Sequence, residues 1–214
     1  MNISDSSLIL SMLILMVFSI FLSFNYYHLL KKFNEIKVRD RLSNALEWPY
    51  IEQQARMMVK RCRRYQENAS FLMVDGDNFR NIFDTHGPLA GNEALTLLGR
   101  AVREVVREVD LFGKYASGKF IVCLSNTDLN GAVVVAERIR QTITEIHTFE
   151  QSFNCTVSIG CSELCKDEKI EDAIKRANNA LEQAQRIGGN RVSSSKNFEA
   201  RTRRNSVWPN LQDL

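Results

Sequence analysis

The chain has 214 residues, a formal net charge of +3, 44% hydrophobic and 25% charged residues. That composition suits one globular core and excludes a low-complexity chain, and so small a positive excess gives no argument for nucleic-acid binding. Its cysteines, Cys62, Cys123, Cys155, Cys161 and Cys165, are odd in number and lack C-x-x-C spacing, which points to a reducing compartment and away from structural zinc.

Ser6 to Leu30 contain no Asp, Glu, Lys or Arg. A run of that length predicts one transmembrane helix, placed with its flanks over residues 1–32. The basic residues that open a signal peptide are missing; Asp5 precedes the run and Lys31 and Lys32 follow it, which orients the remainder toward the cytoplasm. From Lys31 to about Gln66 the pattern is helical and charged, so a helical linker is expected over 33–66, with a basic cluster at Lys60, Arg61, Arg63 and Arg64. "ASFLMVDG" (69–76) predicts a buried strand. Leu95, Leu98, Val102, Val105 and Val109 recur at helical spacing in a segment ending near Arg107 to Asp110.

"LFGKYASGKFIVCLS" holds two apolar runs around Ser117-Gly118 and predicts a hairpin. A second helix carries Val135, Ile139, Ile143 and Ile146 on one side, and "FNCTVSIGCSEL" predicts another strand. The third helix has one stripe of Ile170, Ala173, Ile174, Ala177, Leu181 and Ala184, ended by Gly188-Gly189. Residues 195–214 are expected to be a polar, disordered tail. Alternating strands and helices around one hairpin predict an α/β sandwich with one sheet over 67–194.

"LMVDGDNFRNIFDTHGPLAGNEALTLLG", "REVDLFGKYASGKF", "AERIR", "TVSIG" and "KRANNALEQAQRIGGNRV" resemble, in order and spacing, the GGDEF family of diguanylate cyclases over roughly residues 38 to 194. The resemblance implies a palm-like domain with a mostly antiparallel central sheet flanked by helices, in a bacterial protein; together with the uncharged run and the Lys31-Lys32 pair, the expectation is a single-pass inner membrane protein with its C-terminal domain cytoplasmic. The resemblance also implies a reaction in which two GTP condense to cyclic di-GMP with divalent metal.

The signature departs from the family at the positions that carry this chemistry. Asp75 matches the first metal ligand, but the signature reads Ala116-Ser117-Gly118-Lys119-Phe120, so Gly118 stands where the second carboxylate belongs and Lys119 at the neighbouring acidic position. Pairing of the Lys119 ammonium with Asp75, partly in place of a cation, is the expected arrangement. Phe83 and Asn92 replace the guanine-reading Asn and Asp; Phe83 has no hydrogen-bonding group, and Asn92 offers one carbonyl where a carboxylate offers two oxygens. Gln185 and Gly189 replace triphosphate-contacting Lys and Arg, and Asn178 replaces an Asp. An inactive cyclase without a functional magnesium site or other cofactor is expected.

The family's product-binding site is, by resemblance, complete: Arg107 and Asp110 form R-x-x-D and Arg138 lies on the next helix, while Arg61, or its neighbours Arg63 and Arg64, lies where a further Arg contributes from an adjacent domain in some members of the family. Arg presents a donor fork to guanine O6 and N7, and a carboxylate accepts from N1–H and N2–H. The expected function is that of a membrane-anchored cyclic di-GMP receptor, paired with itself or with a protein partner. The alternatives are a ligand-free interaction module and a weak cyclase.

Overall fold

Five strands, β1 (Ala69–Asp77), β2 (Leu111–Ala116), β3 (Lys119–Ser125), β4 (Thr156–Glu163) and β5 (Val192–Ser194), form one sheet in the order β2-β3-β1-β4-β5 in the computed structural model. The structure describes residues 3–34, 38–116, 118–150 and 155–195, with backbone alone at 3–11, 28–34 and 146–150. β1 pairs antiparallel with β3 and β4, β2 pairs antiparallel with β3, and β5 pairs parallel with β4, so the sheet is mixed. The helices are α1 (Ile3–Asn34), α2 (Tyr50–Tyr65), α3 (Phe79–Val105), α4 (Leu129–Glu150) and α5 (Ile170–Arg186).

Alternation along β1 feeds two separate cores, because successive strand side chains point to opposite faces. Leu72 and Val74 join Ile82, Leu98 and Val102 of α3 and Ala136, Ile139 and Ile143 of α4. Phe71 and Met73 join Ile51, Ala55, Met58, Val59 and Cys62 of α2 and Ile170, Ala173, Ile174, Ala177 and Leu181 of α5. The sheet is therefore a layer between α3 and α4 on one side and α2 and α5 on the other. The stripe read from the sequence of α5 is buried throughout, Ala184 included.

The helix expected to run from Lys31 to Gln66 is interrupted. α1 ends at Asn34 and α2 begins at Tyr50, after Pro49, whose ring cannot continue a preceding helix. Between them Asp40 gathers the chain into a turn: its Oδ2 accepts from the backbone N–H of Leu42 and Ser43 and from Ser43 Oγ, and its Oδ1 accepts from Lys114 Nζ at 3.2 Å. Leu46 then bridges to Gly113 at the edge of the sheet. These contacts, with the burial of α2, correct the reading of 33–66 as a linker. The chain divides into Met1–Val38 and Arg39–Leu214, and α2 belongs to the second unit.

Burial pushes the Asp40 carboxyl up, but the hydrogen bonds from Ser43 and Lys114 outweigh it and hold the carboxyl below its ordinary value of 3.8. A depressed carboxylate contributes stability that is present above the unfolded pKa and is lost as pH falls through the folded one. Asp40→Ala is expected to cost about 2–3 kcal/mol at pH 7, since three backbone or hydroxyl donors and an ammonium lose their acceptor. Denaturant titrations across pH check this: the gap between the two proteins should close only in acid, below about pH 4.

Over residues 12–27 of α1 the large apolar side chains are exposed, Met12 at 66% and Tyr27 at 64%. Among the described residues no helix is long and apolar enough to cross a membrane. The expected span is thus not found there: the side chains described cover 12–27, short of the roughly 20 residues that cross a bilayer. The rest of the predicted run, 6–11 and 28–30, lies outside them.

α3 is kinked where Gly87, at φ 83°, precedes Pro88. It ends at Val105, earlier than its periodicity suggested, because Val106 is extended and Asp110 Oδ2 takes the N–H of Arg107 in a turn. Val109 is consequently 55% exposed and not part of the helix face. The expected hairpin is present as β2 and β3, with Ser117 of its tip outside the described residues. All five cysteines are free, and Cys165 alone among them is exposed. Residues 196–214 of the expected tail lie outside the described residues as well.

Candidate functional site

A cavity of about 650 Å³ opens where β1 ends and the β2–β3 hairpin turns, with Asp40, Asp75, Phe83, Lys114, Gly118 and Gln185 in its wall. The β1–β3 register sets Asp75 opposite Lys119. Gly118 adjoins them at φ +77°, a conformation that glycine adopts without strain, and a Cβ placed there would lie 3.7 Å from Asp75 Oδ1. The backbone thus still brings position 118 to the Asp75 carboxylate; the side chain that would use the proximity is missing.

The expected Lys119–Asp75 pair is not formed. Lys119 Nζ reaches past the strand pair to α5 and donates to Asn178 Oδ1 at 3.4 Å, while Asp75 Oδ2 accepts from Gln185 Nε2 at 3.0 Å. Two of the substituted residues therefore engage the substituted site itself. Gln185, which by resemblance replaces a phosphate-contacting cation, bonds the carboxylate that matches the family's first metal ligand, and Asn178 takes up the lysine.

Burial pushes the Asp75 carboxyl above its ordinary 3.8, against the opposing pull of the Gln185 amide and the Lys119 charge, and nearby Asp77 adds to the rise. A raised carboxyl stabilises the fold fully below its unfolded pKa and loses that contribution as pH rises through the folded value. Ionised Asp75 is therefore a burden on the fold at pH 7. Asp75→Asn, which keeps an oxygen for Gln185, is expected to raise the melting temperature by a few degrees at neutral pH, with the gain closing as pH falls toward 4. A melting series over pH checks both the sign and the window.

Asp77 is the other carboxylate near the strand end, and it is committed elsewhere. Its Oδ2 accepts from Thr156 Oγ1 at 2.8 Å and from the Asn190 N–H at 2.8 Å, and its Oδ1 accepts from Ser158 Oγ at 2.7 Å. Magnesium in such sites is held by one or two carboxylates together with substrate phosphates. Here the donor set is a single carboxylate already bonded to an amide, beside an ammonium, and it does not fit a catalytic divalent ion. Among the described residues no group of three or more His, Cys, Asp or Glu is arranged to hold a metal.

Phe83 lies against Gly91, where an added Cβ would fall 2.4 Å from the ring, and its half-buried ring forms an apolar wall of the cavity. Asn92 is half-buried on α3, and its backbone carbonyl accepts from Thr96 Oγ1. Gly189, at φ +69°, has no space for a side chain: a Cβ would fall 2.9 Å from Asp77 Oδ1. A long cation at position 189 would collide with the bonded Asp77, so this substitution is built into the local packing.

Asp40 and Lys114 are cavity residues to which the sequence reading gave no role. The available signal was the D-R-L-S run, in which an Asp three residues before a Ser favours a side-chain-bonded turn. Its partner is distant in sequence and emerges only from the fold.

Arg107, Asp110 and Arg138 stand apart from this cavity. Arg107 and Asp110 lie in the turn between α3 and β2, and Arg138 lies on α4, the helix packed beside α3 on the same face of the sheet. Arg107 and Arg138 are exposed. Asp110 is fixed by two backbone donors, Arg107 N–H at 3.0 Å and Ser125 N–H at 3.1 Å. Arg61 is exposed on α2, across the sheet from α4, so one chain does not gather all four residues. Arg63 donates to the Glu168 carbonyl, and Arg64 lies over the Tyr65 ring.

A protein-family model described as "Diguanylate cyclase, GGDEF domain" matches residues 37–191. Diguanylate cyclase A of Treponema denticola is 38% identical over 135 residues, 62% of this chain and 36% of that protein. The chain spans about two fifths or less of the length of such curated relatives. Among solved structures, the diguanylate cyclase SiaD of Pseudomonas aeruginosa in complex with its activator SiaC superposes with a TM-score of 0.68 at 26% identity, covering 90% of this chain and 76% of that one. The GGDEF domain of DgcB from Caulobacter crescentus, in complex with c-di-GMP, superposes with a TM-score of 0.70 at 19% identity, covering 75% and 96%, a likeness of fold.

Proposed function

Because the chain belongs to the GGDEF family, we propose that it is a catalytically silent member that binds cyclic di-GMP through Arg107, Asp110 and Arg138 and signals as a receptor anchored in the bacterial inner membrane. The observation that carries the loss of catalysis is the pairing of Gln185 with Asp75 beside the side-chain-free Gly118. One carboxylate lacks its metal partner and is bonded to an amide in its place. Retention of the product site rests on two exposed guanidinium groups on one face of the domain, with a carboxylate held in place between backbone donors.

Anchoring rests on the uncharged run from Ser6 to Leu30 and on the exposed apolar side chains of α1 between Met12 and Tyr27. A helix apolar on all sides needs an apolar environment. Arg61 joins the ligand from a second copy or a partner, since the sheet separates it from Arg138. The nucleotide would then change how two domains pair, which requires that it bind one arrangement more tightly than the other.

A second reading, an interaction module that regulates an active cyclase, is favoured by the SiaD complex, in which a related domain is bound to an activator protein. The test is incubation of the detergent-solubilised chain with GTP and magnesium, together with a melting curve in cyclic di-GMP. No product and a nucleotide-dependent rise in melting temperature are expected. Product formation would overturn the silent-enzyme reading, and an unmoved melting temperature would favour the interaction module.

A further inference from the structure

The charge of the molecule is concentrated on one helix. α2 carries Arg56, Lys60, Arg61, Arg63 and Arg64 against Glu52 alone, a net of +4, whereas the whole chain carries +3. The remainder of the protein is therefore slightly acidic, and α2 supplies the entire positive excess.

Burial sorts these cations. Ile51, Ala55, Met58, Val59 and Cys62 form the inward stripe. Arg56 is bonded to Glu52 and Glu171, and Arg63 to the Glu168 carbonyl, so both are used within the fold. The opposite stripe contains Met57, Lys60, Arg61 and Arg64 at helical spacing, followed by Tyr65, and no acidic residue. Met57 is 58% exposed and Tyr65 61% exposed.

We propose that this outward face of α2 docks on the anionic headgroups of a phospholipid surface, with Lys60, Arg61 and Arg64 on the phosphates and with Met57 and Tyr65 entering the interface. Basic residues flanked by exposed apolar and aromatic ones on a helix form the pattern of interfacial binding. The choice of lipid over another polyanion rests on the anchoring reading: 15 residues separate α1 from α2, and even fully extended they would span at most roughly 50 Å. Docking would hold Arg61 at the membrane and withhold it from cyclic di-GMP, so lipid and nucleotide would compete for one residue.

The experiment reconstitutes the full chain into nanodiscs of phosphatidylcholine alone or with about one third phosphatidylglycerol, and reads hydroxyl-radical oxidation of Met57 against Leu89, which is 82% exposed on α3. Expected is about a tenfold fall in Met57 oxidation in the anionic discs, with Leu89 unchanged and the protection lost in high salt and in Lys60→Glu/Arg64→Glu. Equal Met57 oxidation in both discs overturns the proposal. So does protection by a DNA duplex where anionic discs give none. Failure to enter phosphatidylcholine discs would count against anchoring alone; sedimentation of the same chain with phosphatidylglycerol vesicles, and not with phosphatidylcholine vesicles, then decides docking directly.

Discussion

Arg107→Ala is expected to weaken cyclic di-GMP binding about 10- to 100-fold while leaving thermal stability nearly unchanged. The guanidinium is exposed and has no hydrogen-bond partner among the described residues, so its removal takes nothing from the fold, whereas a charge-assisted fork to a guanine edge contributes about 1.5–3 kcal/mol. Asp110→Ala should behave differently. It removes the acceptor of the Arg107 and Ser125 N–H groups, costing about 1–3 kcal/mol of stability in addition to the binding. Calorimetry and denaturant unfolding on the two variants separate these effects; equal loss of stability in both would contradict this division of labour between the two residues.

Gly118→Asp/Lys119→Glu is the second large effect. The double substitution places a carboxylate beside Asp75 and removes the ammonium from the strand opposite it. Affinity for manganese, read by its paramagnetic signal, is expected to rise at least about a hundredfold, because a second carboxylate joins the first and a competing charge leaves. The left-handed φ at position 118 makes the substitution cost roughly 1 kcal/mol of stability. Product from GTP should still be absent. Phe83 and Asn92 remain at the positions that match the family's guanine-reading pair, Gln185 still caps Asp75, and Gly189 cannot take a cation without displacing Asp77.

The sandwich was legible because its period is strong: the stripe of α5 and the apolar run of β1 are buried as read. Local sequence marked the break after Lys31 only through Pro49 and the D-R-L-S turn, and the contact of Asp40 with Lys114 that ties this turn to the sheet spans 74 residues and emerges only from the fold. The same limit applied in the cavity. The resemblance located Asp75, Gly118, Lys119 and Gln185, but charge alone suggested that lysine would seek the carboxylate. The fold gives Asp75 an amide from α5 and gives Lys119 the Asn178 carbonyl. Arg61 is expected by resemblance to contribute from an adjacent domain, and the sheet does lie between its helix and the one that carries Arg138.

The most direct measurement is calorimetric titration of the full chain with cyclic di-GMP, alongside GTP with magnesium. Micromolar or tighter binding of cyclic di-GMP, with no magnesium-dependent heat of turnover from GTP, is the result predicted for a receptor that has lost its cyclase chemistry. Silence toward cyclic di-GMP, or turnover of GTP, would contradict it.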